Sequence, residues 1–259
     1  MKDVSRREVL SRGLGLAGVA TVGLPLVGDG DAPQAGGIQP ARKLKVVVTG
    51  AHPDKLEIGC GGTIARYTDL GHEVVAIYLT KGERGLTGKI SEESGRIRAA
   101  EAVKACEILK ARPVFAGQVN GLVEVNYARY AEFRKILEAE NPDIVFSHWP
   151  LDRHEDQRAN ALLVYDAWLR GRKKFALYYY EVMTGHFTLM FSPTHYVDIT
   201  STEPRKRQAL YAHASKNFET LYDQVAEVSR FRGDECGRKH AEAFIRHVQS
   251  PDGGLPLAV

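Results

Sequence analysis

The sequence LKVVVTGAHPDKLEIGCGG at positions 44–62 predicts a buried β-strand that turns directly into a helix. Its first part, Leu44 to Gly50, is a β-branched run that ends at a glycine, which is typical of a strand inside a sheet. The pattern from Ile58 to Leu70 is helical and ends at Gly71. The turn between strand and helix carries Ala51-His52-Pro53-Asp54, so an imidazole and a carboxylate lie at a strand end.

A second segment rich in His and carboxylate follows another strand about a hundred residues later. The run from Asp143 to His148 is apolar on both faces, as in a central parallel strand. It continues as His148-Trp149-Pro150-Leu151-Asp152-Arg153-His154-Glu155-Asp156-Gln157. Open α/β sheets bind their ligands at the carboxyl ends of strands. We therefore expect the two segments to form one site.

The rest of the chain alternates strands with helices, which predicts a three-layer, Rossmann-like α/β fold. The sheet is expected to be mainly parallel, with helices on both faces. Further strands are predicted at residues 73–79, 113–117, 177–182 and 196–200, and helices at 91–110, 127–140, 157–169 and 202–214. Residues 222–248 are predicted to be mostly helical, which gives the domain over residues 44–259 a helical C-terminal part.

Composition fits one such domain with an additional segment. The 259 residues are 44% hydrophobic with a formal net charge of +3. No basic block alternates with aromatic residues, which argues against nucleic acid as a partner. The turn Gly59-Cys60-Gly61-Gly62 lacks the G-x-G-x-x-G spacing of dinucleotide sites.

The additional segment is at the N-terminus. Paired arginines, Arg6 and Arg7, precede an uncharged apolar stretch from Leu14 to Val27. This predicts a twin-arginine export signal over residues 1–27, and a linker or cleavage region over 28–43. The apolar stretch is too short for a stable membrane span. The expected location is periplasmic or extracellular.

The two site segments and several later motifs resemble the PIG-L/LmbE-like de-N-acetylases. The first segment is similar to that family's AHPDDxE…GG signature, and the second to its HxDH motif. Two further matches, to an R-x-x-E helix and to a late V-D-I…K…H block, follow in order. The matching positions are Ala51–Asp54, Glu57, Gly59–Gly62, His154–Gln157, Arg98, Glu101, Tyr196–Thr200, Lys206 and His213. The resemblance covers roughly residues 44 to 217.

The resemblance implies zinc-dependent hydrolysis of amides, usually on N-acetylated sugars. It implies a zinc ligand at His52, a general base at Asp54, and a proton donor or oxyanion stabiliser at His154. The other two ligand positions of the family are occupied by Lys55 and Gln157. An ammonium has no lone pair and repels a dication, and an amide oxygen is a poor zinc ligand beside imidazole.

The substitutions predict a degenerate zinc site whose charge is still balanced. The Lys55 ammonium is expected to pair with Asp54, Asp152 or Asp156 in place of the metal. Asp54 is then a partner of Lys55 as much as a base. The remaining pocket residues are predicted to be Glu57, Arg98, Asp152 and Asp156.

The sequence therefore favours an exported pseudoenzyme that binds an N-acetylated sugar or similar small amide without metal. The alternative is an active deacetylase that holds zinc with an unusual ligand set. That set would be drawn from His52, Asp54, His154 and Asp156.

Overall fold

The computed structural model describes residues 42–251 and residue 255. The export signal and most of the linker predicted from the sequence lie outside the described residues. Within the described part, no helix is both long enough and apolar enough to cross a bilayer.

A seven-stranded sheet is covered by six α-helices in the described part of the chain. The strands are β1 (Lys45–Gly50), β2 (Glu73–Thr80), β3 (Arg112–Gln118), β4 (Ile144–His148), β5 (Ala176–Tyr180), β6 (His195–Asp198) and β7 (Ala241–Arg246). The helices are α1 (Lys55–Asp69), α2 (Glu92–Leu109), α3 (Tyr127–Glu140), α4 (Glu155–Arg170), α5 (Glu203–Tyr211) and α6 (Phe218–Cys236). A 3₁₀ turn, Ala214–Lys216, precedes α6.

The strand order is β3-β2-β1-β4-β5-β7-β6. Strands β1 to β5 are mutually parallel, whereas β7 is antiparallel to both of its neighbours. The order changes direction at β1, which pairs with β2 on one side and β4 on the other. Ligands bind at such a switch point in open α/β sheets. The Rossmann-like fold predicted from the sequence is confirmed.

Alternation along the strands creates two apolar layers. Side chains such as Val46 and Val48 of β1 pack with α1, α2, α5 and α6 on one face. Val47, between them, packs with α3 and α4 on the other. The period of two in a strand places neighbours on opposite faces, so a strand buried on both sides is apolar throughout. The three-layer prediction therefore follows from β1 itself.

The prediction of a helical C-terminal part is wrong after residue 236. Helix α6 ends at Cys236, and the capping residue Gly237 has a left-handed φ of 71°, which favours glycine at a helix end. The chain then returns as β7, which inserts between β5 and β6. Its pairing partners lie about 45 or more residues earlier in the chain, for example His195 of β6 opposite Phe244 and Tyr178 of β5 opposite Arg246. This long-range pairing overrides the local helical pattern.

Candidate functional site

The two polar segments meet at the switch point, where they line a cleft of about 360 Å³. One segment follows β1 and leads into α1, and the other follows β4 and leads into α4. Loops after β2 and β3 and the 3₁₀ turn complete the wall. The lining residues are His52, Lys55, Arg84, Gly85, Gly88, Arg98, Asn120, Gly121, His154, Glu155, Phe187 and Lys216.

Asp54 stands at the start of α1 in a strained backbone conformation. Its φ is 86°, in the left-handed region that few non-glycine residues adopt. Its carboxylate makes no capping hydrogen bond to the helix. Instead Lys55 Nζ lies 3.0 Å from Oδ1, and Arg98 Nη2 donates to Oδ2 at 3.0 Å. Two cations therefore hold this buried carboxylate, and the ion pair expected for Lys55 is present.

These cations determine the acidity of Asp54. Burial alone would raise the pKa of the carboxyl, but the charges of Lys55 and Arg98 outweigh burial and hold the pKa well below its ordinary value. A general base is most effective when its pKa lies near the working pH. In this environment, Asp54 is a weak base.

His52 is buried between Asp156 of α4 and Asn120 of the loop after β3. Its Nε2 lies 2.8 Å from Asp156 Oδ2 and 2.6 Å from Asn120 Nδ2. Asp156 Oδ2 also accepts from Gly121 N at 2.8 Å. Burial lowers the pKa of His52 to about 4, although its hydrogen bond to Asp156 acts in the opposite direction. The imidazole is therefore neutral near pH 7.

His154 lies across the cleft at the start of α4. Its Nδ1 accepts from Asp156 N at 3.2 Å, which leaves Nε2 to carry the ring proton. The rings of His154 and His52 are 4.7 Å apart between centroids. Asp152 does not line the cleft, because its Oδ1 accepts from His154 N at 2.8 Å and its Oδ2 from Thr188 Oγ1 at 3.1 Å. It positions the turn that presents His154.

Gln157 is completely buried, and neither atom of its amide has a partner among the described residues. Two unpaired buried amide atoms carry a free-energy cost of order 1–3 kcal/mol each unless water or a ligand satisfies them. The oxygen Oδ1 of Asp156, in a side chain only 1% exposed, is likewise unpaired. These three buried atoms therefore keep unused hydrogen-bonding capacity.

Glu57 lies beneath the cleft rather than in its wall. Its side chain is fully buried, and Oε1 accepts from Tyr78 Oη at 2.6 Å and contacts His213 Nε2 at 2.9 Å. Lys206, from the late motif block, forms a separate buried ion pair with Glu242 at 2.7 Å. These motif residues hold α1 and α5 in place. Of the four predicted pocket residues, Glu57, Arg98, Asp152 and Asp156, only Arg98 lines the cleft.

The positions that the resemblance marks for metal do not fit a zinc ion. They hold His52, Lys55 and Gln157, which together offer one good ligand where catalytic zinc needs three. The charge of Lys55 is close enough to lower the pKa of His52, so it would also repel a cation there. A different group does converge: ligand atoms of His52, His154 and Asp156 lie within 4.8 Å of one another.

Several wall residues were not predicted from the sequence. Asn120 and Gly121 follow β3, Arg84 follows β2, and Lys216 ends the 3₁₀ turn. None of them belongs to a motif, and the sequence offered no signal for them beyond their loop positions after strands.

Comparisons with known proteins agree with this fold. Residues 47–168 match the PIG-L family, described as GlcNAc-PI de-N-acetylase. The diacetylchitobiose deacetylase of Thermococcus kodakarensis is 30% identical over 225 residues, which cover 79% of this chain and 83% of that protein.

Two solved structures share the fold. The N,N'-diacetylchitobiose deacetylase of Pyrococcus horikoshii superposes with a TM-score of 0.69 at 23% identity, covering 80% of this chain and 85% of that one. GalB, the 4-carboxy-2-hydroxymuconate hydratase of Pseudomonas putida, superposes with a TM-score of 0.72 at 22% identity, covering 82% and 100%. With the match over most of the Thermococcus enzyme, the chain belongs to the PIG-L/LmbE-like de-N-acetylase family.

Proposed function

We propose that this member of the deacetylase family binds an N-acetylated sugar or a similar small amide without metal, and acts by binding rather than by hydrolysis. The observation that carries the proposal is the contact of Lys55 Nζ with Asp54 Oδ1 at 3.0 Å. The ammonium supplies a positive charge beside the carboxylate, so the pocket is stable without a metal ion.

The electrostatics of the pair also oppose hydrolysis. Attack of water on an amide needs a base that accepts a proton, and Asp54 is held ionised by two cations with its pKa lowered. Protonating it would require breaking ion pairs in a buried site. The contacts of Lys55 and Arg98 with Asp54 thus stabilise the folded pocket and also make Asp54 a weaker base.

The ligand class follows from the relatives and from the wall. The Thermococcus relative is named a diacetylchitobiose deacetylase, and its substrate is an N-acetylated sugar. The cleft, at about 360 Å³, is within the usual range of about 300–1,000 Å³ for small-molecule sites. Its amide, imidazole and backbone N–H groups suit the hydroxyl and acetamido groups of a sugar.

One observation favours a second candidate function, an active deacetylase with an unusual metal set. His52, His154 and Asp156 offer two imidazoles and a carboxylate within 4.8 Å. Such ligands suit zinc, and three of them are the usual number in a catalytic site. In that case His52 and Asp156 would hold the ion instead of each other.

A zinc titration separates the two. Under the metal-free proposal, purified protein carries well under one zinc per chain, and zinc leaves the melting temperature unchanged. A ligand at a hundredfold excess over Kd stabilises the folded state by about 2.7 kcal/mol, so real binding is easy to detect. Calorimetry with N-acetylglucosamine should show binding in the presence of EDTA.

The opposite result would be stoichiometric zinc, a zinc-dependent rise in melting temperature, and acetate release from diacetylchitobiose. That outcome would establish the metal-dependent deacetylase. The variant Asp156→Asn should then lose zinc, which would confirm the unusual set.

A further inference from the structure

The cleft contains more cations than its carboxylates can pair. Lys55, Arg84, Arg98 and Lys216 all line it. Lys55 and Arg98 share Asp54. In the described part of the chain, neither Arg84 nor Lys216 forms an ion pair. The cleft therefore has two cations without an ion-pair partner among the described residues.

Both of these cations are fixed to backbone carbonyls of the loop after β2. Arg84 Nε donates to Gly88 O at 2.9 Å, and Lys216 Nζ donates to Gly85 O at 3.0 Å. A Cβ at Gly121 would lie 3.0 Å from both Cδ and Nη1 of Arg84, so the glycine lets the guanidinium pack against the wall. Each cation keeps other N–H donors without an acceptor among the described residues.

The neighbouring carboxylates are already committed or distant. Asp54 is held by its two cations, and Asp156 by His52, Asn120 and Gly121. Glu155 lines the cleft, but its side chain is 63% exposed to water. Glu101 is also near Lys216, and its carboxylate accepts from Ser215 N and Ser215 Oγ. Burial, and then the charge of Arg98, lowers the pKa of Lys216, although the carboxylates of Asp54 and Glu101 act in the opposite direction.

From this arrangement we infer that the natural ligand carries an anionic group, a carboxylate or a phosphate, which Arg84 and Lys216 bind at the mouth of the cleft. The inference rests on the proposed function, because it adds a charged substituent to the same small amide. Arg84, after β2, and Lys216, at the end of the 3₁₀ turn, are held by carbonyls of the same loop and can offer charge-assisted hydrogen bonds, which are about twice as strong as neutral ones. A neutral sugar would leave both unpaired.

The test measures binding of four probes by calorimetry in EDTA. They are N-acetylglucosamine, N-acetylglucosamine 6-phosphate, N-acetylmuramic acid and glucose 6-phosphate. The variants are Arg84→Gln and Lys216→Gln, with Arg84→Lys and Lys216→Arg as charge-preserving versions. Arg230→Gln and Lys104→Gln are controls, because they remove one charge each from exposed positions on α6 and α2, away from the cleft.

We expect at least one anionic N-acetylated probe to bind about tenfold or more tightly than N-acetylglucosamine. Each neutral variant should lose most of that advantage, whereas the controls and charge-preserving variants should retain it. Raising the salt from about 0.05 to about 0.5 M should weaken the anionic probe selectively. The phosphate and carboxylate probes together identify which anion is preferred.

The remaining outcomes separate the two proposals. Equal binding of neutral and anionic probes, unchanged in both variants, would overturn the anion site and leave the proposed function intact. Glucose 6-phosphate binding as tightly as its N-acetylated analogue would support the anion site but overturn the amide class. Failure of all four probes to bind would overturn both.

Discussion

At position 55 an ammonium lies where its nitrogen contacts a buried carboxylate, 3.0 Å from Asp54 Oδ1. The variant Lys55→Met keeps the length of the side chain and removes only the charge. Loss of one partner of a buried pair usually costs about 3–5 kcal/mol. We expect about 1–2 kcal/mol here, because Arg98 still holds Asp54 and the cleft admits water.

Urea unfolding at pH 7 measures this effect. The control is Lys104→Met, which removes an exposed lysine from α2 and should change stability by less than about 0.5 kcal/mol. Equal stability of Lys55→Met and the control would show that the ammonium contributes nothing to the pocket.

A paired substitution tests whether positions 55 and 157 are the lost ligand positions. Lys55→Asp with Gln157→His places His, Asp and His around the floor of the cleft, the number of ligands that catalytic zinc needs. We expect the double variant to bind about one zinc per chain. Each single variant should bind far less, because two ligands hold zinc poorly.

Elemental analysis after dialysis, and melting temperature with and without zinc, report the result. A double variant that folds with the circular dichroism spectrum of the parent but takes up no zinc would mean that these positions no longer converge. Weak acetate release by the double variant alone would show that His154 is still positioned for the chemistry.

The central residues of the site were predictable because their motif is continuous in the chain. His52 and Asp54 follow directly on β1, and His154 begins α4, so strand ends and sequence pattern gave the same answer. Arg84, Asn120 and Lys216 were not predictable, because each belongs to a separate loop. The strand order alone brings these loops together. Glu57 belongs to the motif but serves the core beneath the cleft.

Among the elements, the boundaries of β1 to β5 and α1 to α4 were predictable to within about three residues, because local pattern and tertiary environment agree there. Strand β7 was not. It is only six residues long, Ala241–Arg246, and follows a helix without a proline or a hairpin turn signal. Its antiparallel place between β5 and β6 depends on residues far away in sequence.

Helix α1 approaches the sheet so closely that only glycine fits at one position. A Cβ on Gly59 would lie 2.2 Å from Tyr180 Cδ2, and the Tyr180 hydroxyl donates to Thr49 O at 2.7 Å. In Gly59→Ala the tyrosine must move and weaken that hydrogen bond. Overpacking of this kind typically costs about 1–3 kcal/mol.

Gly95→Ala in α2 is the matched control. There the three atoms nearest to the new Cβ all belong to side chains, the closest being Glu83 Cγ at 2.9 Å. Alanine also favours helix over glycine by about 1 kcal/mol, so the control should be near neutral. Thermal unfolding of both variants decides the point, and a neutral Gly59→Ala would show that α1 can move away from β5.

On the scale of the whole molecule, the chain is expected to leave the cytoplasm already folded. The pair Arg6-Arg7 before an uncharged apolar stretch predicts twin-arginine export. Changing both arginines to lysine preserves charge and hydrophobicity but removes the paired signal. We expect the variant precursor to accumulate in the cytoplasm, as measured by fractionation and immunoblotting. Normal secretion of that variant would contradict the assignment.

Stability of the whole domain should fall below about pH 6.5, partly because of His148. This side chain is 1% exposed, and its Nε2 accepts from Ala51 N at 3.1 Å, which requires a neutral ring. Burial, followed by the nearby charges, lowers its pKa well below the ordinary value. Below about pH 6.5 the unfolded chain therefore binds a proton that the native state excludes.

The linkage slope gives a measurable size to this effect. Each excluded proton makes the free energy of unfolding fall by up to about 1.4 kcal/mol per pH unit, and His52, with its pKa of about 4, adds a second between about pH 6.5 and 4. Denaturant titrations at several pH values should show a smaller slope for His148→Gln than for the parent. The exposed His186→Gln should leave the slope unchanged. The hydrogen bond from Ala51 N to His148 links β1 to β4 beneath the cleft. Equal slopes in all three proteins would mean that His148 is protonated in the folded state. Another group would then have to accept the hydrogen bond from Ala51 N.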